Sequence, residues 1–331
     1  MKILFIGGTG NISLAASRLA VASGHQLTLL TRGKMGSQVP GARTILADIQ
    51  QPATVEQALG DECFDAVVNF INYTAEDIER DLRLFSRRCA QYVFISTTAT
   101  YAAPARLPYR EDTPLRNPHW QYARDKISAE LRLNRAYQDE GFPFTIVRPS
   151  HTYDSWIPAG VGGSRTYTII DRIERGLPVV VHGDGASLWT ITHSSDFACG
   201  LVGLLGNPQA IGHAFHITSQ EALTWDEIIL TLGAAVGREP HMVHIPSDFI
   251  AARDAETGAS LLGDKKWCKI FDTSKIQQFV PRFRCEIPFH QGIRATLGRY
   301  ASGELKQVVD PHIHALIDRL VSDYQQISPT Q

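Results

Sequence analysis

Cysteine, methionine and long apolar runs are all scarce in this sequence, and neither sign of charge dominates it. The five cysteines in 331 residues (Cys63, Cys89, Cys199, Cys268 and Cys285) are an odd number, lie far apart and form no C-x-x-C pair. That pattern excludes a paired-cysteine motif and suits a reducing cytoplasm. No stretch approaches the roughly 18 apolar residues of a membrane span. The apolar start at residues 3–6 stops at Gly7, shorter than a signal-peptide core, so the expectation is a cytoplasmic chain with no membrane partner. Lys and Arg (32) nearly balance Asp and Glu (34), for a formal charge of −2. Without a basic surplus, nucleic acid is not an expected partner, whereas a small neutral or anionic molecule is. His241 and His244 lack a third ligand at a useful spacing, and no metal is expected.

What is present is enough apolar material for a substantial core, 44% against 20% charged, on a chain longer than one minimal domain. Through the first half, short apolar runs at 3–6, 26–30, 44–46, 66–70, 92–96 and 144–147 alternate with helical patterns at 14–23, 76–89 and 120–139. Continuous rather than alternating runs of this length fit strands covered on both faces by crossover helices. The expected fold class is therefore α/β, a Rossmann-type doubly wound parallel sheet. Gly24 and Gly141 supply helix stops. Beyond Pro149 the texture changes, with Pro, Gly and aromatic residues crowding 149–189. The expected division is a dinucleotide-binding domain over 1–149, with 190–218 returning to it, and a smaller substrate-binding domain over 150–189 and 219–331.

The segment IGGTGNIS at 6–13 follows the first strand and opens the first helix, the context in which a glycine pattern becomes informative. Gly7 permits a tight turn, Gly10 lets backbone approach a pyrophosphate, and the helix start at Asn11 and Ile12 supplies amide donors. Ser13 stands where a third glycine is usual and is expected to alter helix packing alone, with no phosphate donor lost. Cofactor choice is read at the end of the second strand. There Leu29-Leu30-Thr31-Arg32 offers no carboxylate for ribose hydroxyls and a guanidinium suited to phosphate, so NADP(H) is favoured over NAD(H). Asp48-Ile49 after the third strand is a candidate for the adenine.

In YARDK, Tyr122 and Lys126 are four apart on one face of a predicted helix. An ammonium beside a phenol favours phenolate and makes Tyr122 a candidate acid/base. Just upstream, FISTTATY ends a strand in the hydroxyls of Ser96, Thr97 and Thr98, at the edge where such sheets bind ligands. With GGTGNIS, ADI at 47–49, VRPSHTY at 147–153 and HGDGASLWTITHSSDF at 182–197, the chain resembles the extended short-chain dehydrogenase/reductase family, which contains sugar-nucleotide epimerases and dehydratases. The resemblance implies that Tyr122 is the acid/base, that Lys126 lowers its pKa and binds the nicotinamide ribose, and that Thr97 orients the substrate oxygen. It also implies cofactor contacts at Gly7, Thr9, Gly10, Asn11, Ile12, Arg32, Asp48, Ile49, Phe70, Ile71, Asn72, Pro149 and Ser150.

Two positions depart from the sugar-nucleotide members. His151 stands three residues after Arg148, where those relatives carry asparagine, and Trp189 stands where an arginine clamps the diphosphate. An indole in place of a guanidinium removes a phosphate partner and supplies a stacking face. Thr98, Tyr101, His151, Tyr153, Trp156 and Trp189 are the expected pocket wall, and His193 is expected to bond backbone. The implied function is an NAD(P)-dependent oxidoreductase acting on a secondary alcohol or ketone of a sugar-like or other small polyol. An epimerase or dehydratase with regenerated cofactor is the alternative, and a non-catalytic nucleotide-binding or RNA-associated protein the alternative of another class. Family relatives commonly dimerise through the two helices expected at 76–89 and 120–139, which implies a homodimer.

Overall fold

The computed structural model describes residues 1–33 and 38–327. Its strands in chain order are β1 (Lys2–Ile6), β2 (Gln26–Thr31), β3 (Arg43–Leu46), β4 (Ala66–Asn69), β5 (Tyr92–Ile95), β6 (Phe144–Pro149), β7 (His151–Tyr153), β8 (Val179–His182), β9 (Leu188–His193), β10 (His213–Ile217), β11 (Ala222–Thr224) and β12 (Met242–Ile245). The helices are α1 (Ser13–Ala22), α2 (Pro52–Leu59), α3 (Ala75–Phe85), α4 (Gln121–Glu140), α5 (Thr168–Arg175), α6 (Ser194–Leu204), α7 (Trp225–Val236), α8 (Ser247–Ala251), α9 (Ala255–Ser260), α10 (Ser274–Phe279), α11 (Phe289–Ala301) and α12 (Pro311–Ile327). No helix among the described residues is long and apolar enough to cross a membrane.

Seven strands form one parallel sheet in the order β10-β6-β5-β4-β1-β2-β3. Successive strand residues point to opposite faces, so Ile3 and Phe5 enter one layer while Leu4 and Ile6 enter the other. The first pair packs with Leu27, Leu29, Val68 and Phe215 under Ala16 and Ala20 of α1 and Phe197 and Leu201 of α6. The second packs with Leu30, Val67, Phe94 and Ile146 under Val55 of α2, Ile78 of α3 and Leu133 of α4. Burial on both faces is the reason these strands read as unbroken apolar runs.

The chain reverses direction across the sheet between β1 and β4, the switch point at which open sheets of this kind hold ligands. Helix α3 ends at Phe85, four residues before the expected Cys89, and begins at a Thr74/Asp77 capping box. Of the segment 190–218, α6 packs on α1 and β10 joins β6, whereas β9 pairs with β7 and β11 in a separate three-stranded sheet. Ile276 of α10, with Val280 and Phe283 just beyond it, covers Phe215 of the large sheet, because the last strand of that sheet needs an apolar lid. The second unit adds the β12-β8 pair and a core that joins Ile170, Trp189, Trp225, Ile245, Ile293 and Ile317.

A buried polar chain ties the two units. Arg148 in β6 donates to Glu130 of α4 (3.0 and 2.6 Å) and to the Tyr101 hydroxyl (2.7 Å). Tyr101 meets His216 Nε2 at 2.5 Å, and His216 Nδ1 lies 3.0 Å from the Asp272 carbonyl.

Candidate active site

All seven strands of the large sheet are parallel, so one edge collects their carboxyl ends. Gly7 follows β1 there with φ +82°, a conformation that L side chains rarely adopt. A Cβ on it would meet Ile71, which follows β4, at 2.5 Å, so the turn is packed against the far side of the switch point. Ser13 acts on this loop more directly than expected. Its Oγ donates to the Gly7 carbonyl (2.7 Å) and accepts the Gly10 N–H (2.8 Å). The hydroxyl thus occupies one amide of the loop, correcting the expectation that Ser13 affects packing alone. The N–H groups of Asn11 and Ile12 have no acceptor among the described residues and stand at the start of α1, where an anion is favoured.

The side chain of Asn11 is engaged elsewhere. Its Nδ2 donates to the Thr152 carbonyl (3.0 Å), and its Oδ1 accepts the N–H groups of Ser155 (3.0 Å) and Trp156 (3.1 Å). One asparagine therefore clasps the segment after β7 onto the glycine loop. At the outer end of the edge, Arg32 is largely exposed and lies 3.9 Å from Asp48. Leu46 beside Gly33 is 71% exposed, an apolar shelf next to those charges. Unpartnered amides, an exposed guanidinium and an apolar shelf fit a dinucleotide. Ile49 and Asn72 are exceptions. The Ile49 side chain is buried in the core, and the Asn72 side chain is held by Asp81 (2.8 Å), Tyr92 (3.1 Å) and Arg80 (2.5 Å), so neither side chain faces a ligand. Phe70 packs edge-on against Phe5, Ile71 is 40% exposed, Thr9 is nearly enclosed, and Ser150 beyond Pro149 bonds Thr192 at 2.8 Å.

Lys126 and Tyr122 lie on one face of α4, as their spacing predicts, but the ammonium does not reach the phenol directly. Lys126 Nζ donates to the carbonyls of Asn72 (2.5 Å) and Ile95 (2.8 Å). Tyr73 packs against both residues, with its ring 4.6 Å from Lys126 Nζ and edge-on to Tyr122 at 5.8 Å. Burial pushes the Lys126 ammonium down to about 7, against the pull of Glu130 and Asp77. Burial also pushes Tyr122 above the usual phenol range, and the nearby Thr97 hydroxyl and Arg165 charge draw it back. Thr97 is itself fixed, because its hydroxyl accepts the Ala99 N–H (3.2 Å) at the start of a short 3₁₀ turn.

The expected pocket wall divides. Tyr101 is fully enclosed in the Arg148–His216 chain, and Tyr153 is enclosed by Phe289 and His193. Both are interior supports rather than wall, since neither has free surface. Thr98 is likewise buried. Trp189 is 4% exposed and tilted against Trp225 at 5.1 Å, so it offers no open stacking face. Its indole instead donates to His151 Nδ1 at 3.3 Å, which leaves the proton of the neutral imidazole on Nε2. Burial, reinforced by the charge of Lys265, pushes His151 down to about 3, so the ring is neutral at physiological pH. His193 accepts the Ser195 N–H (3.2 Å), in line with its expected backbone bond. Trp156 carries the Arg165 guanidinium over its ring at 4.8 Å. The expectation missed Tyr73, Trp120, Arg165 and Lys265, which lie far apart in sequence and share no motif. Trp120 alone was within reach, two residues before Tyr122 and 4.8 Å from it between ring centroids. His244 is taken by Asp226 at 2.8 Å.

The lowered Lys126 value sets a pH dependence with a definite sign. Folding disfavours the charged form, so between about pH 7 and the ordinary 10.5 the unfolded chain binds the extra proton and stability rises with pH. The slope is about 1.4 kcal/mol per pH unit from this group. Urea titrations at pH 7, 8 and 9 are expected to show wild type gaining on Lys126→Met at that rate, and a constant difference would contradict the burial argument.

Comparison with known proteins agrees with this geometry. Residues 3–218 match the model of the NAD dependent epimerase/dehydratase family. The chain is 26% identical over 289 residues to 2'-dehydrokanamycin reductase of Streptomyces kanamyceticus, covering 86% of this chain and 80% of that protein. It is 28% identical over 269 residues to a chloroplast stem-loop binding protein of 41 kDa from Arabidopsis thaliana, covering 75% and 67%. Among solved structures, an epimerase from Methanothermobacter thermautotrophicus has the same fold at a TM-score of 0.76 and 16% identity, covering 92% of this chain and 93% of that one. With the family pattern spanning the large sheet and its carboxyl edge, the chain belongs to the NAD dependent epimerase/dehydratase family of nicotinamide-dependent enzymes.

Proposed function

We propose that this enzyme interconverts a secondary alcohol and a ketone on a sugar-like or other small polyol, with Tyr122 as acid/base. The observation that carries the reading is the placement of Tyr122 and buried Lys126 one turn apart on α4, with Lys126 bonded to the carbonyls at the ends of β4 and β5, at the edge that also bears the glycine loop. A nicotinamide, when bound, supplies and accepts the hydride. Asn11 and Ile12 amides would hold its pyrophosphate and Lys126 its ribose. In the reducing direction the neutral Tyr122 phenol gives its proton to the substrate oxygen as the hydride reaches carbon. Thr97 holds that oxygen, and the phenolate is reprotonated from water. In the oxidising direction each transfer reverses. Epimerisation or dehydration in the same site uses the same residues and returns the cofactor unchanged.

We assign NADP(H) as the preferred cofactor because Arg32 is exposed at the end of β2 and its one carboxylate neighbour, Asp48, is 3.9 Å away, leaving the guanidinium able to take a 2'-phosphate. A homodimer through α3 and α4 is proposed because these helices pack side by side, joined by the Arg132–Glu79 ion pair, and leave Leu131 53% exposed. The five free thiols support a reducing compartment.

Tyr122→Phe is expected to bind cofactor as wild type does while losing about 10²-fold or more in kcat, measured with whichever substrate a screen of ketoses and polyols returns. Retained kcat would remove Tyr122 from the chemistry. Arg32→Ala is expected to weaken NADP⁺ binding about tenfold and leave NAD⁺ nearly unchanged, and equal losses for both would overturn the cofactor assignment. Light scattering at micromolar concentration is expected to give twice the 36.6 kDa chain mass, and a single-chain mass would remove the dimer.

A further inference from the structure

Lys265 closes a π-helical turn, Leu261–Lys265, a rare element that is frequent at functional sites. Its carbonyl accepts from His182 Nε2 (3.0 Å), Trp225 Nε1 (3.2 Å) and Ser187 Oγ (3.3 Å). Three donors on one carbonyl fix the backbone of this residue independently of its side chain. The ammonium lies over the Trp120 ring at 4.9 Å, and that ring is 4.8 Å from the Tyr122 ring between centroids. The charge is also felt by His151. Lys265 is therefore one aromatic ring from Tyr122.

Among the described residues its ammonium has no hydrogen-bond acceptor and no ion pair. The neighbouring carboxylate, Asp264, is buried and lies 3.5 Å from a second buried cation, Lys269, so two ammonium groups share one counter-charge. Arg165, over Trp156 in the loop between β7 and α5, likewise forms no ion pair among the described residues, and its charge reaches Tyr122. The remaining polar group of this wall, His151, is neutral with its free proton on Nε2. The groups gathered here are donors and cations drawn from separate segments, half-buried Lys265 and exposed Arg165 among them, and a partly desolvated ammonium without a partner is favoured by an anion that meets it.

We propose that Lys265, supported by Arg165, recognises an oxyanion, a carboxylate or phosphate, carried by the substrate near its reacting carbon. This rests on the reading of the cleft as the substrate site. It deepens that reading by assigning the substrate a negative charge and by making Lys265 a specificity residue that disfavours cationic sugars. The Trp120 ring holds the aliphatic part of the ammonium's approach and leaves its N–H groups for the anion.

The test uses full-length protein saturated with NADP⁺, so that the glycine loop is already filled. Inorganic phosphate, acetate and methylammonium are titrated separately at constant ionic strength, with tryptophan emission and calorimetry as readouts. Phosphate or acetate is expected to bind with a roughly millimolar Kd and methylammonium not at all; the tighter of the two oxyanions names the substrate group. Lys265→Met is expected to weaken that binding about tenfold with NADP⁺ affinity unchanged, Lys265→Arg to keep it, and Arg165→Leu, an exposed position, to weaken it less. Oxyanion binding unaltered by Lys265→Met and Arg165→Leu, or no oxyanion binding to the NADP⁺-loaded protein, overturns the proposal while leaving the hydride-transfer reading intact. Failure of both NADP⁺ and NAD⁺ to bind refutes that reading and the proposal with it.

Discussion

A lysine ammonium buried without a carboxylate in contact is the constraint on which the site depends. Such a group is expensive to desolvate, and Lys126 is 3% exposed. Its two acceptors are backbone carbonyls at the ends of neighbouring strands, Asn72 after β4 and Ile95 at the end of β5. The hydrogen bonds exist only when both strand ends and α4 are in register. The Asn72 carbonyl is in turn held in place through its side chain, by the Asp81 carboxylate that also receives Asn69 and Tyr92. Tyr122, one turn away on the same helix, inherits its position from this arrangement, and Thr97 follows Ile95 by two residues.

Polar contacts join later parts of the chain to that frame, beside the apolar cover that Ile276, Val280 and Phe283 give the large sheet. Asn11 reaches from the glycine loop to the backbone of 152–156, so the segment that leads to Trp156 and Arg165 is fastened to the residues that would carry the pyrophosphate. The Arg148–Glu130 pair links α4, through Tyr101 and His216, to the carbonyl of Asp272. Removing one partner of such a pair leaves a buried charge, so these contacts fix orientation more than they add stability. Hydrogen bonds thus join the glycine loop to the 152–156 segment and α4 to the Asp272 carbonyl.

The parallel sheet was legible because strands buried on both faces read as unbroken apolar runs, and the glycine loop because its turn needs Gly7 at positive φ. Tyr122 and Lys126 were legible as a helix spacing together with a family resemblance. The spacing could not disclose that Tyr73 packs against both, or that the lysine is spent on carbonyls. Aromatic residues misled for one reason: Tyr101, Tyr153 and Trp189 resemble a pocket wall in composition, yet burial against His216, Phe289 and Trp225 makes them its supports. Lys265 carries no motif, and a π-turn has no sequence period to detect. Ser13 was read as a packing change, whereas a hydroxyl can bond its own loop, and it does.

The central claim is that a desolvated Lys126 belongs to a nicotinamide nucleotide site. It is tested most directly by NMR of protein carrying ¹³Cε-labelled lysine, titrated with and without NADP⁺. One lysine resonance, absent in Lys126→Arg, is expected to titrate near pH 7 in the nucleotide-free protein and to shift when NADP⁺ is added. A Lys126 resonance that titrates near 10.5, or that does not respond to the nucleotide, would contradict the claim.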